Sequence, residues 1–174
     1  KRQFVVVRYG NVAGSRGSVL PLFIDQAKKN EFTVTDPKMT RFNISLERGI
    51  KTVEWTVNNC LGGEIVVPKI KSYKILDVIN SFSNKPKIKT IGIRFGEKIH
   101  EEMISIHDSK NTYKIGDYYV ILPHGDKKIL NFYRSKTKSK KVESNFSYTS
   151  DGNKEFMTIS EIKKTVNEIV KKII

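Results

Sequence analysis

The stretch that most limits the fold comes first. Phe4-Val5-Val6-Val7 is an unbroken apolar run that passes through Arg8 and Tyr9 into Gly10-Asn11-Val12-Ala13-Gly14-Ser15-Arg16-Gly17. A continuous apolar run, rather than an alternating one, predicts a strand covered on both faces, as in a parallel sheet. The glycines permit a sharp turn and close approach of the backbone to a ligand, and Asn11 offers an amide at the carboxyl end of the strand. In open α/β sheets that end is where ligands bind. The spacing is not G-x-G-x-x-G, so the turn alone is read equally well as structural. A strand covered on both faces needs neighbours and helices, and only three residues precede this one. The chain is therefore expected to begin inside a fold.

Downstream, strand and helix patterns alternate, which places the chain in the α/β class. Residues 19–29 read as a helix with Pro21 in its first turn, where a missing N–H costs little. Residues 32–36 alternate as a short strand turned by Asp36-Pro37. Ser45 is expected to cap a helix carrying Leu46, Ile50, Val53 and Val57 on one face and stopped by Gly62 and Gly63. Residues 64–68 form a strand, and Ser72 is expected to cap a helix turning Ile75, Leu76, Ile79 and Phe82 inward. A strand over 88–93 is predicted to end at Arg94, and 118–123 is predicted as the final apolar strand. Residues 124–157 are polar, rich in lysine and weakly patterned, hence expected to be partly flexible. Thr158 and Glu161 form a capping box for a last helix with Ile162, Val166, Ile169 and Ile173 in one stripe.

The net charge of +14 suits an anionic partner such as nucleic acid, an anionic membrane or a phosphate-bearing metabolite. Most of it is lysine spread along the chain, with one dense run at 134–141, and a solvated lysine-rich surface has the same composition. The single Cys60 excludes an intramolecular disulfide and is expected to pack as a small apolar residue, and the three histidines are too scattered for a zinc site. No run approaches the roughly 18 apolar residues of a membrane-spanning helix, and no signal-peptide pattern opens the chain. A cytoplasmic location is expected.

Two arginines stand where a ligand site is expected. Arg41 follows a turn and precedes a helix, and Arg94 ends a predicted strand, with Gly96 for the turn and Glu97 three residues on. A guanidinium fork matches a phosphate, and a neighbouring carboxylate can accept a ribose diol. The alternative is that Arg41 makes a surface salt bridge and that Arg94 and Glu97 simply pair with each other. His100 and His107 lack partners at the spacing that acid–base or metal chemistry requires.

Six blocks, "RYGNVAGSRGSVLPLF", "TDPKMTRFNISLERGI", "GGEIVVPKI", "GIRFGEKIHEEMIS", "NTYKIGDYYVILP" and "FSYTSDGNKEFMTISEIKK", occur in this order. Together they resemble the C-terminal half of the UDP-N-acetylglucosamine 4,6-dehydratases, extended short-chain dehydrogenase/reductase enzymes of bacterial polysaccharide biosynthesis. The likeness is nearest to the inverting, 5-epimerising type that opens the pseudaminic acid pathway.

The resemblance implies an α/β fold made of late strands and helices of a Rossmann-type NAD(P)-binding fold plus the small C-terminal nucleotide-sugar-binding domain. It divides the chain into 1–30 (Rossmann-like), 31–123 (UDP-sugar binding), 124–157 (polar segment) and 158–174 (C-terminal helix). It implies an NADP-dependent lyase in which hydride leaves C4, water is lost across C5 and C6, and hydride returns to C6. The product is a UDP-4-keto-6-deoxy-hexosamine. By motif, Asn11, Val19, Thr35, Met39, Arg41, Arg94 and Glu97 would bind substrate, the arginines on the diphosphate and Glu97 on the ribose. Val12, Ala13 and Arg16 would line the cofactor end. The family's glycine-rich fingerprint and Tyr-x-x-x-Lys pair are absent from this sequence, so no catalytic residue is assigned and the chain alone is expected to be inactive. The implied partners are a UDP-sugar and the N-terminal Rossmann portion of the same enzyme, with a homo-oligomer possible and no metal. A basic nucleic-acid-binding module is the alternative, for which salt-dependent phosphate contacts would dominate.

Overall fold

The structure is a computed structural model describing residues 3–135 and 138–173, so Lys136 and Thr137 of the basic run and Ile174 lie outside the described residues. From the N-terminus the elements are β1 (Val6–Val7), β2 (Asn11–Val12), α1 (Val19–Ala27), β3 (Glu31–Val34), β4 (Thr40–Ile44) and α2 (Leu46–Asn59). Next come β5 (Ile65–Pro68), β6 (Ser72–Lys74), α3 (Ile75–Phe82), β7 (Lys87–Thr90), β8 (Glu102–Ile104) and α4 (Ile106–Ser109). The last six are β9 (Thr112–Ile115), β10 (Tyr118–Ile121), α5 (Lys127–Ser135), β11 (Ser139–Lys141), β12 (Tyr148–Thr149) and α6 (Ile159–Ile173). These elements sort into two compact units that interleave along the chain. The first takes residues up to 9, 46–69 and 102–149, and the second takes 10–45, 70–101 and those from 150 on.

The first unit is built on a five-stranded sheet of order β1-β5-β10-β9-β11. β1 runs parallel to β5, while β5–β10, β10–β9 and β9–β11 are antiparallel, so the sheet is mixed rather than wholly parallel. Val66, Tyr113, Tyr118, Val120, Leu122, Ile129 and Tyr133 form its core. Ile129 and Tyr133 come from α5. The weakly patterned 124–157 region thus supplies a helix that contributes to this core, as well as β11 and β12, and β10 is not the final strand. Its apolar residues, Ile129, Leu130, Phe132 and Tyr133, are confined to one short stretch in a lysine-rich background, too few turns for a periodic signal.

Two expectations for this unit are corrected. The opening run is not covered on both faces: β1 has β5 as its neighbour, Phe4 is 76% exposed and Val6 is 54% exposed. In α2 the buried face is Gly49, Thr52 and Thr56, while Leu46, Ile50, Val53 and Val57 are exposed. The small residues can turn inward because each threonine hydroxyl bonds its own helix, Thr52 Oγ1 donating to the Arg48 carbonyl at 2.8 Å and Thr56 Oγ1 to that of Thr52 at 2.7 Å. A buried hydroxyl so satisfied carries little desolvation penalty.

The second unit carries two small sheets and three packed helices. β2 pairs parallel with β4, which pairs antiparallel with β6, and β3 pairs parallel with β7. Helices α1, α3 and α6 pack on one core that includes Phe23, Phe32, Val34, Ile79, Ile162 and Val166. The predicted capping box is present, with the Glu161 N–H donating to Thr158 Oγ1 at 3.2 Å and the Thr158 N–H to Glu161 Oε2 at 2.9 Å. The Ile162, Val166 and Ile169 stripe is buried. Ser72 is not a cap. It lies in β6, its backbone engaged by Glu155 and Met157, and α3 begins at Ile75 without a side-chain cap. The strand predicted over 88–93 stops at Thr90, because after the Ile91 N–H bonds the Val34 carbonyl the chain turns at Gly92, where φ is +85°.

Among the described residues no helix is long and apolar enough to cross a membrane, and no cluster of three or more histidine, cysteine or carboxylate side chains could hold a metal.

Candidate functional site

The second unit contains a cavity of about 620 Å3, within the size range of small-molecule and cofactor sites. Helix α1 supplies one wall: Val19, Leu22, Phe23 and Gln26 recur at helical spacing and face the cavity together. Thr33, Val34 and Thr35 of β3 and the residue after it form a second wall. The turn after Asp36 brings Met39 and Arg41 to the rim, and the turn after β7 brings Ile91, Arg94 and Glu97. Asn11 enters from β2, whose seating depends on Gly10. A Cβ at that glycine would come within 2.4 Å of Phe42 Cβ in the neighbouring β4, so only glycine lets the two strands approach.

All seven residues expected to bind substrate line this one cavity: Asn11, Val19, Thr35 and Met39 with Arg41, Arg94 and Glu97. Of the three expected near the cofactor, Arg16 lines it too. Val12 instead pairs with Ile44 in β2–β4, and Ala13 packs against the core.

The polar groups are organised around Arg41. Its Nη1 donates to the Thr40 and Ile99 carbonyls, both at 2.8 Å, and its Nη2 to the Met39 sulfur at 3.5 Å. Nη2 lies 3.9 Å from Glu97 Oε1, and Nε lies 3.9 Å from Glu101 Oε1. The guanidinium is therefore locked, 16% exposed, with its Nη2 edge the one nearest Glu97. Thr35 Oγ1 donates to Glu97 Oε1 at 3.2 Å.

Arg94 and Glu97 do not pair through their side chains. The Arg94 backbone N–H donates to Glu97 Oε2 at 3.3 Å, the Glu97 N–H donates to the Arg94 carbonyl at 3.0 Å, and among the described residues no carboxylate lies within ion-pair distance of the Arg94 guanidinium. One arginine is thus clamped, the other makes no ion pair among the described residues, and both line the same hollow.

Behind the cavity wall stands Glu101. Its Oε2 accepts the Phe42 N–H at 2.7 Å and its Oε1 accepts Asn11 Nδ2 at 3.1 Å. Burial pushes its carboxyl above the usual carboxylate range, opposed by the Phe42 hydrogen bond and by Arg41 and Asn11. Burial likewise pushes the Tyr73 phenol well up, so this cavity residue stays neutral at physiological pH. The site combines cationic groups, a carboxylate able to accept hydroxyls, and apolar walls. That combination suits a ligand with an anionic middle, a polyol and a flat apolar end.

Residues 1–123 match the family pattern described as polysaccharide biosynthesis protein. The chain belongs to that family. Two inverting UDP-N-acetylglucosamine 4,6-dehydratases from Campylobacter jejuni strains are 43% and 44% identical to it over 172 residues, 95% of this chain and 51% of each relative. A UDP-glucose 4-epimerase of Rickettsia canadensis is 38% identical over 165 residues, 91% of this chain and 48% of the relative. Among solved structures, Pen from Bacillus thuringiensis superimposes with a TM-score of 0.76 at 30% identity, over 98% of this chain and 51% of that one. The chain thus spans about half the length of the relatives it matches.

Sequence reasoning within the family pattern overlooked Gln26, Thr33, Tyr73 and Ile91 in the lining, and Glu101 behind it. Gln26 carried a usable signal, because it shares the helical face of Val19 and Leu22. Glu101 carried none, since its role depends on β4 and β2 arriving beside it.

Proposed function

We propose that the second unit binds the UDP moiety of a UDP-sugar, and that the chain is the substrate-binding portion of an inverting UDP-N-acetylglucosamine 4,6-dehydratase. The observation that carries this reading is the gathering of Asn11, Arg41, Arg94 and Glu97 on one cavity of nucleotide size. Arg94 and the Nη2 edge of Arg41 neutralise the diphosphate through charge-assisted hydrogen bonds. Glu97, held by Thr35 and by the Arg94 backbone, accepts the ribose hydroxyls. Asn11, oriented by Glu101, contacts the diphosphate or the sugar.

The hydride chemistry of such enzymes comes from NADP, and the residues present do not fit a dinucleotide. Of Val12, Ala13 and Arg16, only Arg16 offers a polar group at the cavity, and the sequence holds no Tyr-x-x-x-Lys pair. The cofactor therefore belongs with a Rossmann portion supplied from elsewhere in the enzyme. The apolar, exposed Phe4, Val6, Ile50 and Val57 of the first unit support a reading in which that portion covers them.

The test is to incubate the 174-residue chain with UDP-N-acetylglucosamine and NADP+, alone and joined to the N-terminal half of a Campylobacter jejuni relative, and to follow the sugar by NMR. A UDP-4-keto-6-deoxy sugar formed only by the joined protein is expected. A C4 epimer in its place would move the chain to the epimerase relatives. A dehydrated product from the chain alone would contradict the division of labour proposed here.

A further inference from the structure

We infer that Gln26 is a specificity-determining residue that reads the pyrimidine base, favouring uracil over cytosine. This rests on the UDP-sugar reading above and assigns a residue to its base-recognising end.

Gln26 lies in the last full turn of α1, on the face that lines the cavity. Its Oε1 accepts the Thr33 backbone N–H at 2.9 Å, and Thr33 is itself a cavity residue of β3. A carboxamide presents an acceptor on one side and two donors on the other. Because the acceptor is occupied by Thr33, the group left for a ligand is the NH2, and among the described residues no acceptor takes it. The fixed end of Gln26 therefore makes the variable end a donor.

The surroundings suit a flat ring. Leu22, Phe23 and Val34 supply apolar surface beside Gln26, whereas Arg41, Arg94 and Glu97 cluster beyond Thr35. Going from Thr33 of β3 to Thr35 just beyond it, the cavity passes from an apolar wall with one amide donor to a charged rim. A nucleotide lying base-first along this strand puts its ring at Gln26 and its ribose at Glu97. Uracil carries a carbonyl oxygen at C4, which accepts from the NH2. Cytosine carries an amino group there, which would set donor against donor and cost the hydrogen bond that uracil makes. A mismatch of this kind lowers affinity roughly tenfold to a hundredfold.

The experiment is isothermal titration of UDP and of CDP into the chain and into its Gln26→Glu and Gln26→Met variants, with thermal melting as a check on folding. Glutamate keeps an acceptor for the Thr33 N–H but replaces the donors with a second acceptor, so the local backbone is preserved while the reading of the base is reversed. The expected result is at least tenfold tighter binding of UDP than CDP by the unaltered chain. The ratio should fall at least tenfold or invert in Gln26→Glu, and approach one in Gln26→Met, which carries the comparison should the glutamate variant melt. UDP binding with an unchanged UDP-to-CDP ratio in the folded variants would overturn the role of Gln26 while leaving the UDP-sugar reading intact. Failure of the unaltered chain to bind either nucleotide would overturn that reading, and the role of Gln26 with it.

Discussion

At the scale of single residues, Arg41 and Arg94 are chemically identical yet are expected to behave differently when removed. Arg94→Ala deletes a cation that has no carboxylate partner among the described residues, so UDP affinity is expected to drop roughly tenfold to a hundredfold with no change in melting temperature. Arg41→Ala also removes one of the two donors to each of the Thr40 and Ile99 carbonyls, which keep the Ser150 hydroxyl and the Thr40 N–H, so a comparable loss of affinity is expected together with about 1–3 kcal/mol of stability. Calorimetry paired with denaturant unfolding separates the two. Gly10→Ala carries no charge change, yet its methyl group would collide with Phe42 in β4. It is expected to cost about 1–3 kcal/mol and to weaken binding by displacing Asn11, read by the same pair of measurements. The cavity-lining Asn11, Arg41, Arg94 and Glu97 were legible through the family resemblance, because the glycine turn and the two arginines taken alone read equally well as structural features. The network around Glu101 was not, because its partners Asn11, Arg41 and Phe42 come from other segments of the chain.

Among the elements, α6 offers the clearest link from a short motif to stability. Glu161 accepts hydrogen bonds from Lys71 and from the Thr158 N–H and hydroxyl, which hold its carboxyl at about 2, below the 4.5 of a free glutamate. A carboxylate whose folded pKa is depressed adds stability above its unfolded pKa, and that contribution fades as pH falls from about 4.5 toward 2. Glu161→Gln is therefore expected to flatten this part of the acid limb, seen as a smaller drop in the urea midpoint across that window. Glu101 is shifted the other way by burial, so the difference between wild type and variant is the informative quantity. The capping box itself was legible from Thr158 and Glu161. Helix α2 shows the opposite case: its i, i+4, i+7 apolar pattern predicted a helix correctly but mistook the buried face, because Gly49, Thr52 and Thr56 let it lie close to the sheet. Periodicity reports that a helix has two faces, and packing against the neighbouring strands decides which one turns in. Ser72 was misplaced for a related reason, as its β6 pairing with Phe42 in β4 lies thirty residues away in sequence.

For the whole molecule, the alternation of strands and helices announced an α/β chain, while the interleaving of two units was hidden. Each unit is assembled from three separate segments, and no composition change marks where the chain crosses between them. The second unit gathers every residue assigned to substrate into one hollow, and the first carries an open sheet edge and an exposed apolar helix face. The 620 Å3 cavity of the second unit is the proposed UDP site. The most direct measurement is a crystal structure of this chain grown with UDP. Pyrophosphate oxygens are expected within hydrogen-bond distance of both Arg41 and Arg94, with the ribose on Glu97. A well-ordered UDP bound elsewhere, with this cavity holding only solvent, would contradict it.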